Sequence, residues 1–121
     1  MKGIVLFAHG STVASANDAV HAVTAELGRR TGRAVETAFL DCAPPTVADA
    51  VAALVDRGVT EILIVPYFLT TGIHLKRDLP RLVEQIRPVY PDISIAVTEP
   101  LDGHPGLMEI LVERSQGAVR S

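Results

Sequence analysis

With 121 residues, 48% of them hydrophobic and only 4% aromatic without a single Trp, the chain has the length for one domain over residues 1–121 and an aliphatic, Ala-rich core. A net charge of −3 with 11 scattered Lys and Arg residues gives no electrostatic footprint for nucleic acid, and no run approaches the roughly 20 apolar residues that cross a bilayer. The apolar run after Lys2 ends at His9 and Gly10, too short for a secretory leader, and the lone Cys42 has no internal partner, so a reducing cytoplasm is the expected compartment.

Gly3 to Ala8 carries Ile4, Val5, Leu6 and Phe7 without a polar break, the pattern of a strand covered on both faces in a parallel sheet. After His9, Gly10 and Ser11, a helix is expected with Ser15 as cap and Asp18 three residues on. Its apolar stripe is Ala16, Val20, Val23 and Leu27, and its end lies near Arg30, with Gly32 in the turn. Ala34 to Leu40 reads as a second strand, with Val35, Thr37 and Phe39 on one face, broken by Asp41, Cys42, Ala43, Pro44 and Pro45. Thr46 with Asp49 three residues later caps a second helix that buries Val47, Ala50, Val51, Leu54 and Val55 and stops at Gly58.

Glu61 to Pro66 is the third strand. The loop beyond it ends at His74, and a third helix is expected with Asp78 as cap, Pro80 in its first turn, and Leu79, Leu82, Val83 and Ile86 inward. Pro88 and Pro91 close that helix, Ile93 to Val97 gives a fourth strand, and a loop containing His104 leads to a last helix over Leu107 to Arg114. Strands and helices in strict alternation predict a three-layer α/β/α domain on a four-stranded parallel sheet of order 2-1-3-4. In that topology a crevice opens between the carboxyl ends of the first and third strands, so His9 and His74 are expected to face it together. Neutral imidazoles suit a transient divalent metal and proton transfer near neutrality, whereas a structural zinc site wants four protein ligands, commonly with Cys.

Asp41 reaches the same edge as a group to orient a histidine or accept a proton, or as a turn aspartate, and Cys42 reads as a small packed residue. Lys76 and Arg77 either meet substrate carboxylates or solvate the start of a helix, and His104 is either a rim ligand or a turn residue. His21 shares a face with Asn17, Asp18 and Thr24 and reads as solvated. Ser11 is a poor nucleophile candidate, because Thr12 and Val13 follow it without the second glycine of a nucleophile elbow. Gly10 and Ser11 instead suit a sharp turn that offers hydrogen bonds to an anion.

The segments IVLFAHGS, VETAFLDCAPPTVADAV, VPYFLTTGIHLKRDLP and PLDGHPGLMEILVER together make the chain resemble the small single-domain sirohydrochlorin chelatases of the class II chelatase superfamily. The resemblance implies a flavodoxin-like half-module and ATP-independent insertion of Co2+ or Fe2+ into sirohydrochlorin, on the way to cobalamin or sirohaem. Metal, Co2+, Fe2+ or Ni2+, is then substrate, with no permanently bound cofactor. By the matching motifs His9 and His74 become the metal-binding and catalytic pair, with Gly10, Ser11, Gly72, Lys76 and Arg77 toward substrate and Asp41 and His104 accessory. A homodimer is implied too, since larger relatives fuse two such lobes around one cleft. The pattern departs at Thr12, where Arg is usual, and at Asp41, where Glu is usual; the His-rich and Cys-containing extensions of longer relatives are missing. A non-catalytic metal or tetrapyrrole carrier with the same cleft is the competing expectation.

Overall fold

The computed structural model describes residues 1–70 and 72–119; Thr71, residues 120 and 121, and the side chains of Ile73 and His74 lie outside the described residues. Four strands, β1 (Lys2–Ala8), β2 (Ala34–Phe39), β3 (Glu61–Pro66) and β4 (Ser94–Val97), form one all-parallel sheet in the order β2-β1-β3-β4. Between and after them run α1 (Ala14–Thr31), α2 (Val47–Asp56), α3 (Ile73–Ile86) and α4 (Pro105–Ser115), so the expected order and topology are both observed. The register pairs Val5 with Glu36 and Ile64, and Phe7 with Ala38 and Pro66, which brings the carboxyl ends of β1, β2 and β3 level with one another.

One sheet face is sealed. Val5, Phe7, Ala38, Ile62, Ile64 and Ile95 meet Val47, Val51 and Leu54 of α2 and Leu75, Leu79 and Val83 of α3 in a continuous core. Each fully buried aliphatic or aromatic side chain there contributes about 1.5–3 kcal/mol relative to exposure. The α2 start is a reciprocal capping box: Thr46 Oγ1 accepts from the Asp49 N–H, and Asp49 Oδ2 accepts from the Thr46 N–H. Gly32 ends α1 in the left-handed conformation at φ 67°, its N–H donating to the Gly28 carbonyl.

Three local expectations are corrected. The first helix starts at Ala14, with Val13 as an N-cap that makes no side-chain capping bond, so Ser15 and Asp18 do not cap it. Thr24 is its one buried residue, and Asn17, His21 and Thr24 make its polar contacts to the Ser11 loop and β2; of the apolar stripe Ala16 and Val23 are exposed and Val20 and Leu27 half-buried. The third helix starts at Ile73 after an N-cap at Gly72, so Asp78 is not its cap and Pro80 lies well inside it. A Pro there forgoes the N–H bond to the Lys76 carbonyl, and the burial of Leu75, Leu79, Val83 and Ile86 offsets that loss.

Candidate functional site

The carboxyl edge of the sheet is built by continuing the ladder beyond the strands. The Leu40 N–H donates to the Ala8 carbonyl, the Asp41 N–H to the His9 carbonyl, and the Tyr67 N–H to the Phe7 carbonyl. His9 is therefore held through its own carbonyl on the β2 side, with Phe7 held on the β3 side, while its ring remains exposed. Phe68 stands edge-on to the His9 ring at 6.3 Å and to Phe7 at 5.7 Å, so the imidazole rests on an aromatic pair rooted in the core.

The His9 Nδ1 lies 3.3 Å from the Gly10 carbonyl oxygen. A carbonyl oxygen only accepts, so in this contact Nδ1 carries the proton and the lone pair of Nε2 is free to meet a cation or take a proton. His104 is arranged oppositely. Its Nδ1 accepts from the Gly106 N–H at 2.9 Å as the cap of α4, which leaves neutral His104 with an outward Nε2–H, a donor suited to a carboxylate. The turn role weighed for His104 is thus the one its contacts show.

Gly10 adopts φ +91°, and a Cβ placed on it would stand 2.0 Å from the Asp41 carbonyl oxygen. Only glycine lets the two loops approach this closely. Ser11 is clamped by Asn17: the Ser11 N–H donates to Asn17 Oδ1 and Asn17 Nδ2 donates to the Ser11 carbonyl, at 3.0 and 2.8 Å. Ser11 Oγ also accepts from the Val13 N–H at 3.0 Å, so the hydroxyl is a loop-fixing group with its own hydrogen still available to donate. Asn17 is the site residue that the sequence reading missed; its position in the first turn of a helix entered from Gly-Ser is the signal. Ala8, His9, Gly10, Ser11, Asn17 and Tyr67 contribute to the walls of a cavity of about 230 Å³.

Asp41 is exposed, its Oδ1 accepting from the Cys42 N–H at 2.8 Å, the contact of a turn aspartate that sits beside Gly10 through its backbone. Cys42 is exposed at φ 71°, not packed as expected, because the tight turn after β2 directs it out of the core. His21 is exposed, as expected, and its ring also bonds to the sheet: Nδ1 lies 2.9 Å from Thr37 Oγ1 and the ring meets Phe39 edge-on at 5.4 Å. Thr37 in turn shares a 2.7 Å bond with Thr24, so α1 seats on β2 through satisfied polar groups.

Topology puts His74 in the first turn of α3, which follows β3, the neighbour of β1, but its side chain lies outside the described residues. Gly72 caps that helix through its carbonyl, which accepts from the Lys76 N–H. Lys76 lines a second, apolar cavity of about 210 Å³ with Pro66, Leu75, Leu79, Pro80 and Val97, on the β4 side of α3. Arg77 is exposed with its guanidinium 3.5 Å from Asp78 Oδ1. The structure thus gathers His9, Gly10 and Ser11 in one cavity and sets Lys76 beside another. Among the described residues no three His, Cys, Asp or Glu side chains form a metal-holding group. No helix among the described residues is long and apolar enough to cross a membrane.

The CbiX family model matches residues 3–118. The chain belongs to the CbiX family. It is 34% identical over 121 residues to a sirohydrochlorin cobaltochelatase from Sulfurisphaera tokodaii, covering all of this chain and 97% of that one. It is 30% identical to a sirohydrochlorin cobaltochelatase from Methanopyrus kandleri, covering 98% of each. Among solved structures, this CbiX-family chain superposes on a cobalamin-biosynthesis CbiX protein from Marinobacter aquaeolei with a TM-score of 0.84 at 25% identity, covering 96% and 95% of the two chains. On the cobalt complex of the sirohydrochlorin chelatase SirB from Bacillus subtilis subspecies spizizenii the TM-score is 0.87 at 27% identity; there 95% of this chain covers 50% of SirB. The whole chain is therefore the counterpart of half of SirB.

Proposed function

We propose that this chain, acting as one domain over residues 1–121, inserts a divalent metal ion into sirohydrochlorin without ATP, in cobalamin or sirohaem biosynthesis in the cytoplasm. The observation that carries the reading is the His9 loop: an exposed imidazole, locked by backbone at a strand's carboxyl end, whose Nε2 lone pair is free. Full-length similarity to two sirohydrochlorin cobaltochelatases supplies the substrate class.

The chemistry follows from the balance of the reaction. The metal ion enters as a hydrated dication, its waters are displaced as four metal–nitrogen bonds form, two pyrrole N–H bonds break, and two protons leave. His9 Nε2 receives the hydrated metal or one of those protons, and His74, in the helix turn across the crevice, is assigned the same work. Gly10 and Ser11 offer the Ser11 hydroxyl, and the Gly72 loop its backbone, to the substrate's carboxylates; Lys76 and Arg77 supply positive charge at the rim. Asp41 is an accessory acid beside the loop, and His104, through its Nε2–H, a donor to a substrate carboxylate instead of a metal ligand.

The reading also pairs two copies, since the chain matches half of SirB and a second copy would stand where SirB has its other half. The test is an insertion assay with sirohydrochlorin and Co2+, Fe2+ and Ni2+ in parallel, followed by absorbance. Wild type should exceed the spontaneous rate with at least one metal, and His9→Ala and His74→Ala should each fall to near that rate. Tight tetrapyrrole binding with no acceleration by any metal would instead identify a carrier.

A further inference from the structure

In a chain with three Phe, two Tyr and no Trp, the aromatic side chains gather at one edge of the sheet. Phe7, Phe39, Tyr67 and Phe68 all lie within two residues of the carboxyl ends of β1, β2 and β3. Phe68 meets His9 there by register. Phe7 pairs with Pro66 across β1 and β3, so two more residues on each chain set His9 beside Phe68, and the alternation of an extended chain puts both on the face that carries Phe7. The ladder bond from the Tyr67 N–H to the Phe7 carbonyl keeps that register past the end of β3. The rings agree with it: Phe68 stands edge-on to His9 at 6.3 Å and to Phe7 at 5.7 Å. Phe7 is fully buried, and Phe68, half-buried, packs against the main core, so the contact on His9 has a rigid base.

The imidazole has little else to hold it. The side chain is exposed, and its Nδ1 contact with the Gly10 carbonyl, made to the adjacent residue, is 3.3 Å, beyond the roughly 2.7–3.2 Å of a well-formed N–H···O bond. Among the described residues no aromatic ring other than Phe68 contacts it. From this we infer that Phe68 is the positioning residue of His9: its ring fixes the orientation in which Nδ1 meets Gly10 and Nε2 stays open to the cleft. The inference rests on the reading of His9 as the group that meets the metal or takes a proton, and adds what holds that group ready. An imidazole free to turn about its side-chain torsions spends part of its time in other orientations, and apparent metal affinity falls by the fraction of time that the competent one is occupied. Loss of an edge-to-face aromatic pair is a change of about two- to tenfold in such an equilibrium. Leu or Met at position 68 keeps an apolar contact with the core but presents no flat ring to the imidazole, whereas Tyr keeps the ring.

The test compares Phe68→Leu, Phe68→Met and Phe68→Tyr in the full chain, with native circular dichroism required of each. Tyr90→Leu is the control, because Tyr90 is also an aromatic packed against the core but stands just ahead of β4, toward the other edge of the sheet. NMR of the histidine ring nitrogens at alkaline pH reads the tautomer of His9, with His9→Ala assigning its signals. Wild type, Phe68→Tyr and Tyr90→Leu should show His9 protonated at Nδ1, and the two ringless variants should move toward the Nε2–H form. In the insertion assay with Co2+ the ringless variants should lose about two- to tenfold in kcat with KM for sirohydrochlorin unchanged, and Co2+ titrated without tetrapyrrole should bind more weakly by a similar factor. Unchanged His9 signals in the ringless variants overturn the inference, as do changed signals without a fall in kcat. Equal losses in Phe68→Tyr or in Tyr90→Leu overturn it too, since core packing and not the ring would then be responsible. A wild type no faster than the spontaneous reaction overturns the metal-insertion reading instead, and the ring signals with the Co2+ titration still decide whether Phe68 orients His9.

Discussion

Replacing Gly10 by alanine tests the geometry that holds His9. At φ +91° an L-residue is strained by about 1–2 kcal/mol. The added Cβ would also stand 2.0 Å from the Asp41 carbonyl oxygen, a backbone atom that cannot rotate away. The two loops must separate by more than an ångström, which breaks the Asp41 N–H to His9 carbonyl bond and strains the Leu40 to Ala8 bond behind it. At about 1 kcal/mol per backbone bond, the total is roughly 3–4 kcal/mol. For a domain of this size that corresponds to a fall in Tm of roughly 10–15 °C. Gly32→Ala is the control, since Gly32 also has positive φ but a Cβ there meets nothing within 4 Å. It should cost only about 1 kcal/mol, or about 4 °C. Thermal melts by circular dichroism give both values, and metal insertion well below the melting transition should drop for Gly10→Ala alone. Equal Tm shifts for the two variants would refute the claim that the loops are in contact through Gly10.

Asn17→Ala removes both hydrogen bonds that clamp Ser11, so it should cost about 1–2 kcal/mol in a urea melt and lower kcat/KM, while Asn17→Gln, one methylene too long, should not restore activity. Thr37→Val keeps the volume of a buried side chain but deletes the hydroxyl shared by His21 and Thr24; a loss of about 1–2 kcal/mol is expected, and a cycle with Thr24→Val should show non-additivity of at least about 0.5 kcal/mol. Thr46→Ala opens the capping box of α2 and should cost about 1 kcal/mol by the same melt. Leu54→Ala, at a fully buried position under β1 and β2, should cost about 2–5 kcal/mol and leave the His9 loop's activity unchanged in the fraction that stays folded.

The strands were legible because parallel strands buried on both faces read as unbroken apolar runs, and Ile62 to Val65 or Ile4 to Ala8 fit no other element of that length. Strand order followed from alternation and right-handed crossovers, and α2 from a capping box that the structure reproduces bond for bond. The first helix was misread by one position, and the reason is specific. The apolar-stripe rule assumes that a helix buries what is greasy, yet β2 presents Thr37 to α1, and Asn17, His21 and Thr24 are the residues that can satisfy it and the Ser11 loop. A row of polar residues pairing with one another across an interface has no signature in the periodicity of one segment.

The same limit applies to the site. Topology and motif placed His9 at the crevice, but which nitrogen of a histidine faces outward is decided by a neighbour's backbone, and no pattern of side chains encodes it. His9 directly follows the central strand β1, and His104 comes seven residues after the edge strand β4, yet both follow strands, and position alone does not say which nitrogen each ring presents. One meets a carbonyl and is left with a lone pair; the other meets an N–H and is left with a proton. On the proposed function, His9 would then meet the metal and His104 a substrate carboxylate. His104→Ala should then raise KM for sirohydrochlorin with little change in kcat, and His9→Ala should lower kcat with bound tetrapyrrole still detectable by its absorbance. Equal loss of kcat in both variants, with the Gly106→Ala variant as a check on the cap, would show that the two rings share the metal and that the backbone contacts do not set their roles.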